Sequence, residues 1–311
     1  MLAWSLLAAP PVAALIFASF QTANLTLKWP ATQLIGWTTV LMNVVIFSAP
    51  LHWFFSPLVV AVIATVAWLL ISCFAVYSAH KIHNTCIKLS SPKITKPYKL
   101  LHLSDIHAGS RSKSFVDKVV KQANEQQADV ALITGDLLDS SDVDTAFLQP
   151  LGKLTCPVYL CLGNHERYVN LEKAIDAITT NKVQILRSTT ARFDEIEFTG
   201  IDDADGPDQV ATELPDIVRQ YDHFQVLLYH RPTGFEFAAA AGIELMLCGH
   251  THAGQVWPFG ILVKRQFPRM KGLHTLDNAT LYVSQGTGTW GPIMRLGTRS
   301  EMTLIELEPD T

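Results

Sequence analysis

The sequence predicts a layered α/β domain preceded by transmembrane helices. In the 311-residue chain no Asp or Glu occurs before Asp105, and Lys28 is the only charged residue before Lys81. From residue 98 onward, short apolar runs alternate with amphipathic stretches, which is typical of strands and helices that pack in layers. We therefore expect a membrane domain over residues 1–80, a lysine-rich linker over 81–97 and one α/β domain over 98–311.

Three apolar stretches in the uncharged region predict about three membrane-spanning helices. They are Leu2–Phe20, Leu34–Ala49 and Pro57–Ser78. A helix needs about 20 residues to cross the hydrocarbon core of a bilayer. A cleaved signal peptide is the alternative for the first stretch, but no basic residue precedes it and further apolar stretches follow.

A lysine cluster after the third stretch predicts the orientation of the protein. Its members are Lys81, Lys88, Lys93, Lys96 and Lys99, with no acidic residue among them. Such a cluster beside a span marks the cytoplasmic side, and each lysine near anionic headgroups contributes about 1 kcal/mol. A solvated linker is also compatible with this composition. We expect an integral, multi-pass protein of the cell inner membrane whose α/β domain is cytoplasmic.

Charge and cysteine content agree with this division of the chain. The first 104 residues carry a formal charge of +6 and the remainder −10, so the net −4 averages two different parts. The five cysteines show no framework of paired spacings, which fits a reducing compartment.

Nine strands and five helices are predicted after residue 97. The strands are Tyr98–Ser104, Asp129–Thr134, Val158–Leu162, Val183–Leu186, Glu195–Ile201, Gln225–Tyr229, Glu244–Cys248, Leu281–Ser284 and Met302–Glu306. The helices are Lys113–Gln126, Asp142–Leu151, Leu171–Thr180, Leu214–Tyr221 and Thr233–Ala241.

Five of these strands run directly into side chains that can bind a metal. The residues are Asp105 and His107, Asp136, Asn164 and His165, His230, and His250 and His252. Beyond the end of a strand the backbone enters a loop, so that such side chains can turn toward one point and offer oxygen and nitrogen ligands. Alone, the first four motifs are explained as well by turn or core residues, whereas the two histidines of the last, His250 and His252, follow a glycine and point the same way, which makes it the most specific. Their joint occurrence in this order predicts a metal site.

The five motifs, D-x-H, G-D-x-x-D, G-N-H-E, H and G-H-T-H, resemble those of the calcineurin-like metallophosphoesterase superfamily. Together with G-T-G-T-W-G-P-I-M-R near the end, they are similar to the membrane-associated bacterial branch of YkuE- and YaeI-like phosphoesterases. The resemblance covers about residues 98–307. It implies a four-layer αββα sandwich with a two-metal site at the strand ends.

The resemblance also implies a role for each site residue. One metal would be held by Asp105, His107, Asp136 and His252, and the other by Asp136, Asn164, His230 and His250. Asp136 would bridge the two ions, and His165 takes the position of the family's catalytic histidine. Two divalent ions are expected, with Mn²⁺ favoured and Fe or Zn²⁺ also suited to mixed oxygen and nitrogen ligands.

The expected activity is hydrolysis of phosphodiester or pyrophosphate bonds by a hydroxide that bridges two metals. His165 would protonate the leaving oxygen or stabilise charge at phosphorus. Because the chain is anchored at a bilayer, we expect a lipid-linked phosphate ester as the substrate, the membrane as a partner and no nucleic acid. The alternatives are a protein or small-molecule phosphomonoesterase and a catalytically silent membrane scaffold. The scaffold would be expected to lack metal ligands, and all of them are present.

Two further groups of residues have two interpretations each. An apolar group can form a slot near the site or ordinary core: Trp257, Phe259, Ile261, Trp290 and Ile293. A basic group can contact phosphate or belong to the surface: Lys264, Arg265, Arg269, Lys271 and Arg295.

Overall fold

Twelve strands form the centre of the part of the chain that the structure describes. The structure is a computed structural model that describes residues 25–204, 206 and 209–310. The strands are β1 (Ile82–Ser91), β2 (Tyr98–Leu103), β3 (Val130–Thr134), β4 (Val158–Cys161), β5 (Val183–Ile185), β6 (Thr189–Phe193), β7 (Ile196–Ile201), β8 (Phe224–Tyr229), β9 (Leu245–Cys248), β10 (Gly272–Leu276), β11 (Ala279–Val283) and β12 (Ser300–Pro309).

Eight α-helices accompany the strands among the described residues. They are α1 (Leu25–Ser48), α2 (Pro57–His80), α3 (Lys113–Glu125), α4 (Thr145–Leu148), α5 (Leu171–Thr180), α6 (Gln209–Glu213), α7 (Phe235–Ala240) and α8 (Gly260–Gln266). Short 3₁₀ turns occupy Ala49–Trp53, Gln149–Lys153, His165–Arg167, Leu214–Asp216 and His252–Gly254.

The strands form two six-stranded sheets that pack face to face. Their orders are β1-β12-β2-β3-β4-β5 and β10-β11-β9-β8-β7-β6. One apolar core lies between the sheets, a second between the first sheet and helices α3 and α5, and a third between the second sheet and helices α6 and α7. The expected four-layer αββα arrangement is confirmed.

Most strands of both sheets run parallel, and the central ones, such as β3, β4, β8 and β9, are buried on both faces. β2, β3, β4 and β5 run parallel in the first sheet, and β7, β8, β9 and β11 in the second. Such strands are near-continuous apolar runs, which explains why all nine predicted strands are present. Their carboxyl ends lie at one edge of each sheet, where the polar motifs begin.

The predicted linker over 81–97 contains a strand instead. β1 pairs in parallel with β12 along ten residues. Only one face of this edge strand is buried, so its apolar pattern is weak. Its lysines therefore led to the prediction of a solvated linker. Three lysines of the predicted cluster are paired with carboxylates: Lys88 with Glu306, Lys93 with Glu244 and Lys96 with Asp194. The separation of the chain into a membrane part and a catalytic part stays a prediction.

Two predicted helices differ from the structure, and each contains a proline. The predicted helix Leu214–Tyr221 is wrong, since α6 lies before it and only a 3₁₀ turn, Leu214–Asp216, follows. The predicted helix Asp142–Leu151 is only partly helical: it contains the shorter helix α4 and a 3₁₀ turn. Pro150 has no backbone N–H to donate to a preceding turn of α-helix, and Pro215 for the same reason limits α6, which ends at Glu213. Strands β6 and β10 and helix α8 were not predicted, and all three have exposed faces.

Helices α1 and α2 form an apolar hairpin that packs on the α/β domain. The segments Thr32–Trp53 and Pro57–His80 are long and apolar enough to cross a membrane. The backbone nitrogen of Arg295 donates to the carbonyl of Ala75 in α2 at 2.8 Å, and the ring of Phe47 lies 5.5 Å from that of Trp257. The stretches predicted at Leu34–Ala49 and Pro57–Ser78 are therefore helical. The stretch Leu2–Phe20 lies outside the described residues.

Candidate metal centre

All eight predicted site residues come together where five parallel strands end. Asp105 and His107 follow β2, Asp136 follows β3, Asn164 and His165 follow β4, His230 follows β8, and His250 and His252 follow β9. Asp105, His107 and His230 are fully buried, and the others lie at the edge of the same cluster. The carboxyl ends of the two sheets thus supply one mixed set of carboxylate, amide and imidazole groups.

A first group consists of Asp105, His107 and His252. The Nε2 atoms of His107 and His252 lie 3.0 Å apart, and Nε2 of His252 lies 3.3 Å from Oδ1 of Asp105. The ligand atoms of all three residues lie within 4.8 Å of one another, close enough to hold one metal ion.

A second group consists of Asp136, His230 and His250, and it shows the same closeness of ligand atoms. His250 Nδ1 lies 3.1 Å from His230 Nε2 and 3.1 Å from Asn164 Oδ1. Asn164 therefore adds a neutral oxygen to this group.

Asp136 stands between the two groups. Its Oδ2 lies 3.2 Å from Nε2 of His230 in the second group and 3.9 Å from Nε2 of His107 in the first. Its Oδ1 accepts a hydrogen bond from the backbone N–H of His165 at 2.9 Å. Burial opposes ionisation of this carboxyl, but His230 and His165 hold its pKa well below the usual range. An anionic oxygen is therefore shared by both groups.

The chemistry of these contacts fits bound cations. His230 Nδ1 lies 2.7 Å from the carbonyl oxygen of Thr134 and donates a hydrogen bond there, so that Nε2 is directed at Oδ2 of Asp136 at 3.2 Å. Two imidazole nitrogens, or a nitrogen and a carboxylate oxygen, at about 3 Å repel each other unless a proton or a metal cation lies between them. Nitrogen and oxygen ligands together suit Mn²⁺, Fe and Zn²⁺ more than Ca²⁺.

His165 lies beside both groups, and with His107 and Asp139 it forms a third set whose ligand atoms lie within 4.8 Å of one another. Its Nε2 is 3.9 Å from Oδ2 of Asp136, and its ring packs edge-on against His107 with centroids 4.8 Å apart. The side chain is 15% exposed, more than that of Asp136 or His107. Burial lowers the pKa of His165 to about 4, so its ring is neutral at pH 7. Its ring is therefore uncharged and partly open to solvent beside both groups.

Two acidic residues support the site and were not predicted to act there. Asp139 Oδ2 lies 3.3 Å from His107 Nδ1, which orients the His107 ring in the way that carboxylates orient metal-binding histidines. Glu166 is fully buried and accepts hydrogen bonds from the backbone N–H groups of Asp136, Leu138 and Gly163. Asp139 is the last residue of the motif G-D-x-x-D, and Glu166 is the last residue of G-N-H-E. Their acidic side chains at these positions are the sequence feature from which a supporting role could have been predicted.

Five residues of the centre have a left-handed backbone conformation. Their φ angles lie between 47° and 70°, and they are Asp105, His107, Asp136, His250 and His252. This region is costly for residues other than glycine and persists only where surrounding contacts enforce it, often at functional sites. Such strained backbone conformations are consistent with a functional site, in which the direction of the side chains matters more than the stability of the local backbone.

The apolar group predicted as slot or core is largely exposed. Trp257, Phe259, Ile261 and Trp290 are between 43% and 56% exposed, which excludes the core interpretation for these four. Trp290 lies 6.5 Å from the ring of His165, and Trp257 contacts Phe47 of α1. Exposed aromatic side chains thus lie both beside the centre and beside the hairpin.

Arg295 differs from the rest of the basic group because it is fully buried beside the centre. Its guanidinium donates to the carbonyl oxygens of His252, Gly286 and Gly288. Lys264, Arg265 and Lys271 are exposed, and Arg269 pairs with Glu236 at 2.7 Å.

Comparison with known proteins gives one matching family and several relatives. The family model for calcineurin-like phosphoesterases matches residues 98–254. A metallophosphoesterase of Campylobacter jejuni is 30% identical over 81% of this chain and 71% of its own length. A bovine transmembrane protein with a metallophosphoesterase domain is 32% identical over 70% of this chain, and the phosphodiesterase YaeI of Escherichia coli is 29% identical over 68%. The chain spans 54% of the bovine protein and 82% of YaeI.

Proposed function

Because the chain belongs to the calcineurin-like phosphoesterase family, as its five motifs predicted, we propose that it is a membrane-anchored phosphoesterase with two divalent metal ions. It hydrolyses phosphodiester or pyrophosphate bonds, and its substrate is linked to a lipid. Mn²⁺ is the favoured metal, and Fe or Zn²⁺ would also suit the ligands.

The position of Asp136 is the observation that carries this proposal. One carboxylate oxygen faces His107 of the first group and His230 of the second. The proposed ligands are Asp105, His107, Asp136 and His252 for one ion, and Asp136, Asn164, His230 and His250 for the other. A carboxylate in this place can serve two ions that lie about 3.5–4 Å apart, the spacing of two-metal phosphoesterases.

The chain's own residues divide the remaining tasks. Bound divalent ions would act as Lewis acids that draw charge from phosphoryl oxygens and lower the pKa of water. Glu166 fixes the backbone that carries Asp136, and Asp139 orients His107. His165 points its ring toward the same centre from the more exposed side, where it would donate a hydrogen bond to the leaving oxygen or to a phosphoryl oxygen.

The exposed apolar surface supports a lipid-linked substrate. Trp290 lies beside His165, and Trp257 lies beside the hairpin helix α1. Helix α8 adds Ile261 and Leu262, which are 56% and 58% exposed. A surface of this kind next to membrane-spanning segments would accept an acyl chain without removing it from an apolar environment.

The location proposed is the inner membrane, crossed more than once, with the catalytic domain in the cytoplasm. Helices α1 and α2 support a multi-pass arrangement, and the bovine relative is described as a transmembrane protein. Lys81 directly after α2, and five cysteines that are all free, support the cytoplasmic side.

Hydrolysis of three substrates by detergent-purified protein tests the proposal. We expect Mn²⁺-dependent hydrolysis of bis-p-nitrophenyl phosphate that exceeds hydrolysis of p-nitrophenyl phosphate and of a phosphopeptide. Preference for either monoester would favour a phosphomonoesterase. Absence of hydrolysis with Mn²⁺, Fe²⁺ and Zn²⁺ would favour a silent membrane scaffold. The Asp136→Asn variant serves as the control, because contaminating hydrolases would not respond to it.

A further inference from the structure

A pocket lies between the end of the membrane helix α2 and the beginning of helix α3, outside the metal centre. Its volume is about 440 Å³. Its lining includes His80, the last residue of α2, and Arg111, Ser112, Phe115 and Lys118 at the start of α3. Neither the metal ligands nor the proposed reaction uses these residues.

Arg111 is the unusual member of this lining. Its side chain is 1% exposed, and no carboxylate among the described residues forms an ion pair with it. Nη1 donates to Thr289 Oγ1 at 3.4 Å, whereas Nε and Nη2 have no hydrogen-bond partner in the described part of the chain. Its guanidinium carbon lies 3.7 Å from the centre of the Phe115 ring, which holds the group in place.

A buried charge without a counter-ion is costly for a folded protein. An arginine side chain is protonated at neutral pH, and the charged group near Arg111 is the guanidinium of Arg295. The neighbouring charge is therefore of the same sign and offers no compensation. A buried polar group without a partner calls for an explanation, and a bound ion is one of those known.

Two further features of the pocket favour a negative ligand. Helix α3 has 13 residues, no acidic residue in its first turn, and an amino terminus capped by Ser112, whose side chain accepts from the N–H of Phe115. Partial positive charge at such a terminus attracts anions. Lys118 lies on α3 about one turn after Phe115. Its ammonium group donates a hydrogen bond to the carbonyl oxygen of His80 at 2.6 Å.

We propose that the pocket between α2 and α3 binds a phosphate group through Arg111, Lys118 and the amino terminus of α3. The phosphate belongs to a lipid headgroup or to a soluble anion, and the same three features recognise either. His80 ends a helix that is long enough to cross a membrane, which places the pocket at the level of lipid headgroups. Occupation does not require hydrolysis at the metal centre.

Phosphate binding by the full-length, Mn²⁺-loaded protein in detergent tests this proposal. Inorganic phosphate is titrated calorimetrically at constant ionic strength, before and after chelation of the metal. We expect a binding site that survives chelation, is weakened at least tenfold by Arg111→Met, and is weakened by Lys118→Met. Lys121→Met is the matched control, since this exposed lysine lies one turn beyond Lys118 on the same helix and does not line the pocket.

Stability distinguishes ligand binding from a structural role of Arg111. Without phosphate, Arg111→Met should have an unchanged or higher melting temperature, because it removes an uncompensated buried charge. A marked decrease would mean that Arg111 is structural, and the exposed Lys118 would then carry the binding test alone. Absence of a chelation-resistant site, or binding that neither variant changes, would overturn the proposal.

Nanodiscs identify the source of the phosphate. If it is a lipid headgroup, nanodiscs with phosphatidic acid should raise the melting temperature above that in pure phosphatidylcholine, and Arg111→Met should remove this difference. If it is a soluble anion, only inorganic phosphate should have this effect. A protein that binds phosphate here but hydrolyses nothing would contradict the proposed function and leave this pocket in place.

Discussion

Glu166 holds the backbone of Asp136: its Oε2 accepts a hydrogen bond from the Asp136 N–H at 3.0 Å. The same carboxylate accepts from Leu138 at 3.1 Å and from Gly163 at 2.7 Å, so one buried side chain joins the loops after β3 and β4. These two loops carry the proposed bridging ligand and the proposed catalytic histidine. The geometry of the centre therefore depends on a residue that is not a proposed ligand.

Removal of the Glu166 carboxylate should destabilise both the fold and the metal centre. Glu166→Ala would leave three N–H groups without their acceptor, and we expect a loss of roughly 3 kcal/mol in the free energy of unfolding. Chemical denaturation measures the loss, and elemental analysis should show reduced metal content. Glu172→Ala, an exposed residue of α5, is the control. A stable Glu166→Ala variant with full metal content would contradict the supporting role of Glu166.

Asp136 and His252 should differ in their effect on metal content. Asp136→Asn removes the anionic oxygen that faces both groups, so occupancy of both metal positions should fall. His252→Ala removes a ligand from the first group alone and should chiefly weaken one position. Elemental analysis per chain distinguishes these results. Two metals and normal turnover in Asp136→Asn would make the bridging assignment wrong.

The apolar surface on α8 should matter for membrane substrates only. Ile261→Asn and Leu262→Asn should reduce hydrolysis of a phosphodiester lipid in nanodiscs by about tenfold, while hydrolysis of soluble bis-p-nitrophenyl phosphate stays within about twofold. Leu273→Asn alters an exposed leucine of β10 and is the control. Equal losses for both substrates would mean that α8 supports the fold of the site.

The orientation in the membrane can be tested with a reporter fused after Thr311. The expected result is activity in the cytoplasm, and the amino terminus should lie outside if all three predicted spans cross the bilayer. A reporter that is active only outside the cytoplasm would overturn the orientation and the compartment inferred from the cysteines.

The strand ends could be predicted from the sequence because buried parallel strands leave strong apolar runs. β3 and β8 are buried at every position, and their polar successors Asp136 and His230 follow at once. The edge strand β1 could not be predicted, since alternate residues face solvent and its pairing partner β12 lies more than 200 residues away. Hydrogen bonds between loops also leave no pattern in the sequence, and the bond from the Asp136 N–H to Glu166 is an example. The pocket at Arg111 depends on the packing of α2 against the domain, which no local pattern encodes.

The role of His165 gives the last prediction. His165 follows Asn164 on the turn after β4, and its ring lies beside both groups while Nε2 stays 3.9 Å from Asp136 Oδ2. His165→Ala should therefore retain two metals and bind substrate almost normally. If the residue protonates the leaving oxygen, the loss of rate should be on the order of 10²–10⁴ for a poor leaving group. For p-nitrophenolate, which needs little protonation, the loss should be clearly smaller.

Rates of His165→Ala and the native chain should be compared across esters whose leaving groups differ in pKa. Because the ring is neutral at pH 7 with a pKa of about 4, proton donation requires that the bound phosphate raise this pKa. A rate defect that grows with leaving-group pKa supports a general acid. A uniform defect means that His165 stabilises charge at phosphorus through its N–H, and a loss of metal would make it a ligand. A fully active variant would remove His165 from the mechanism.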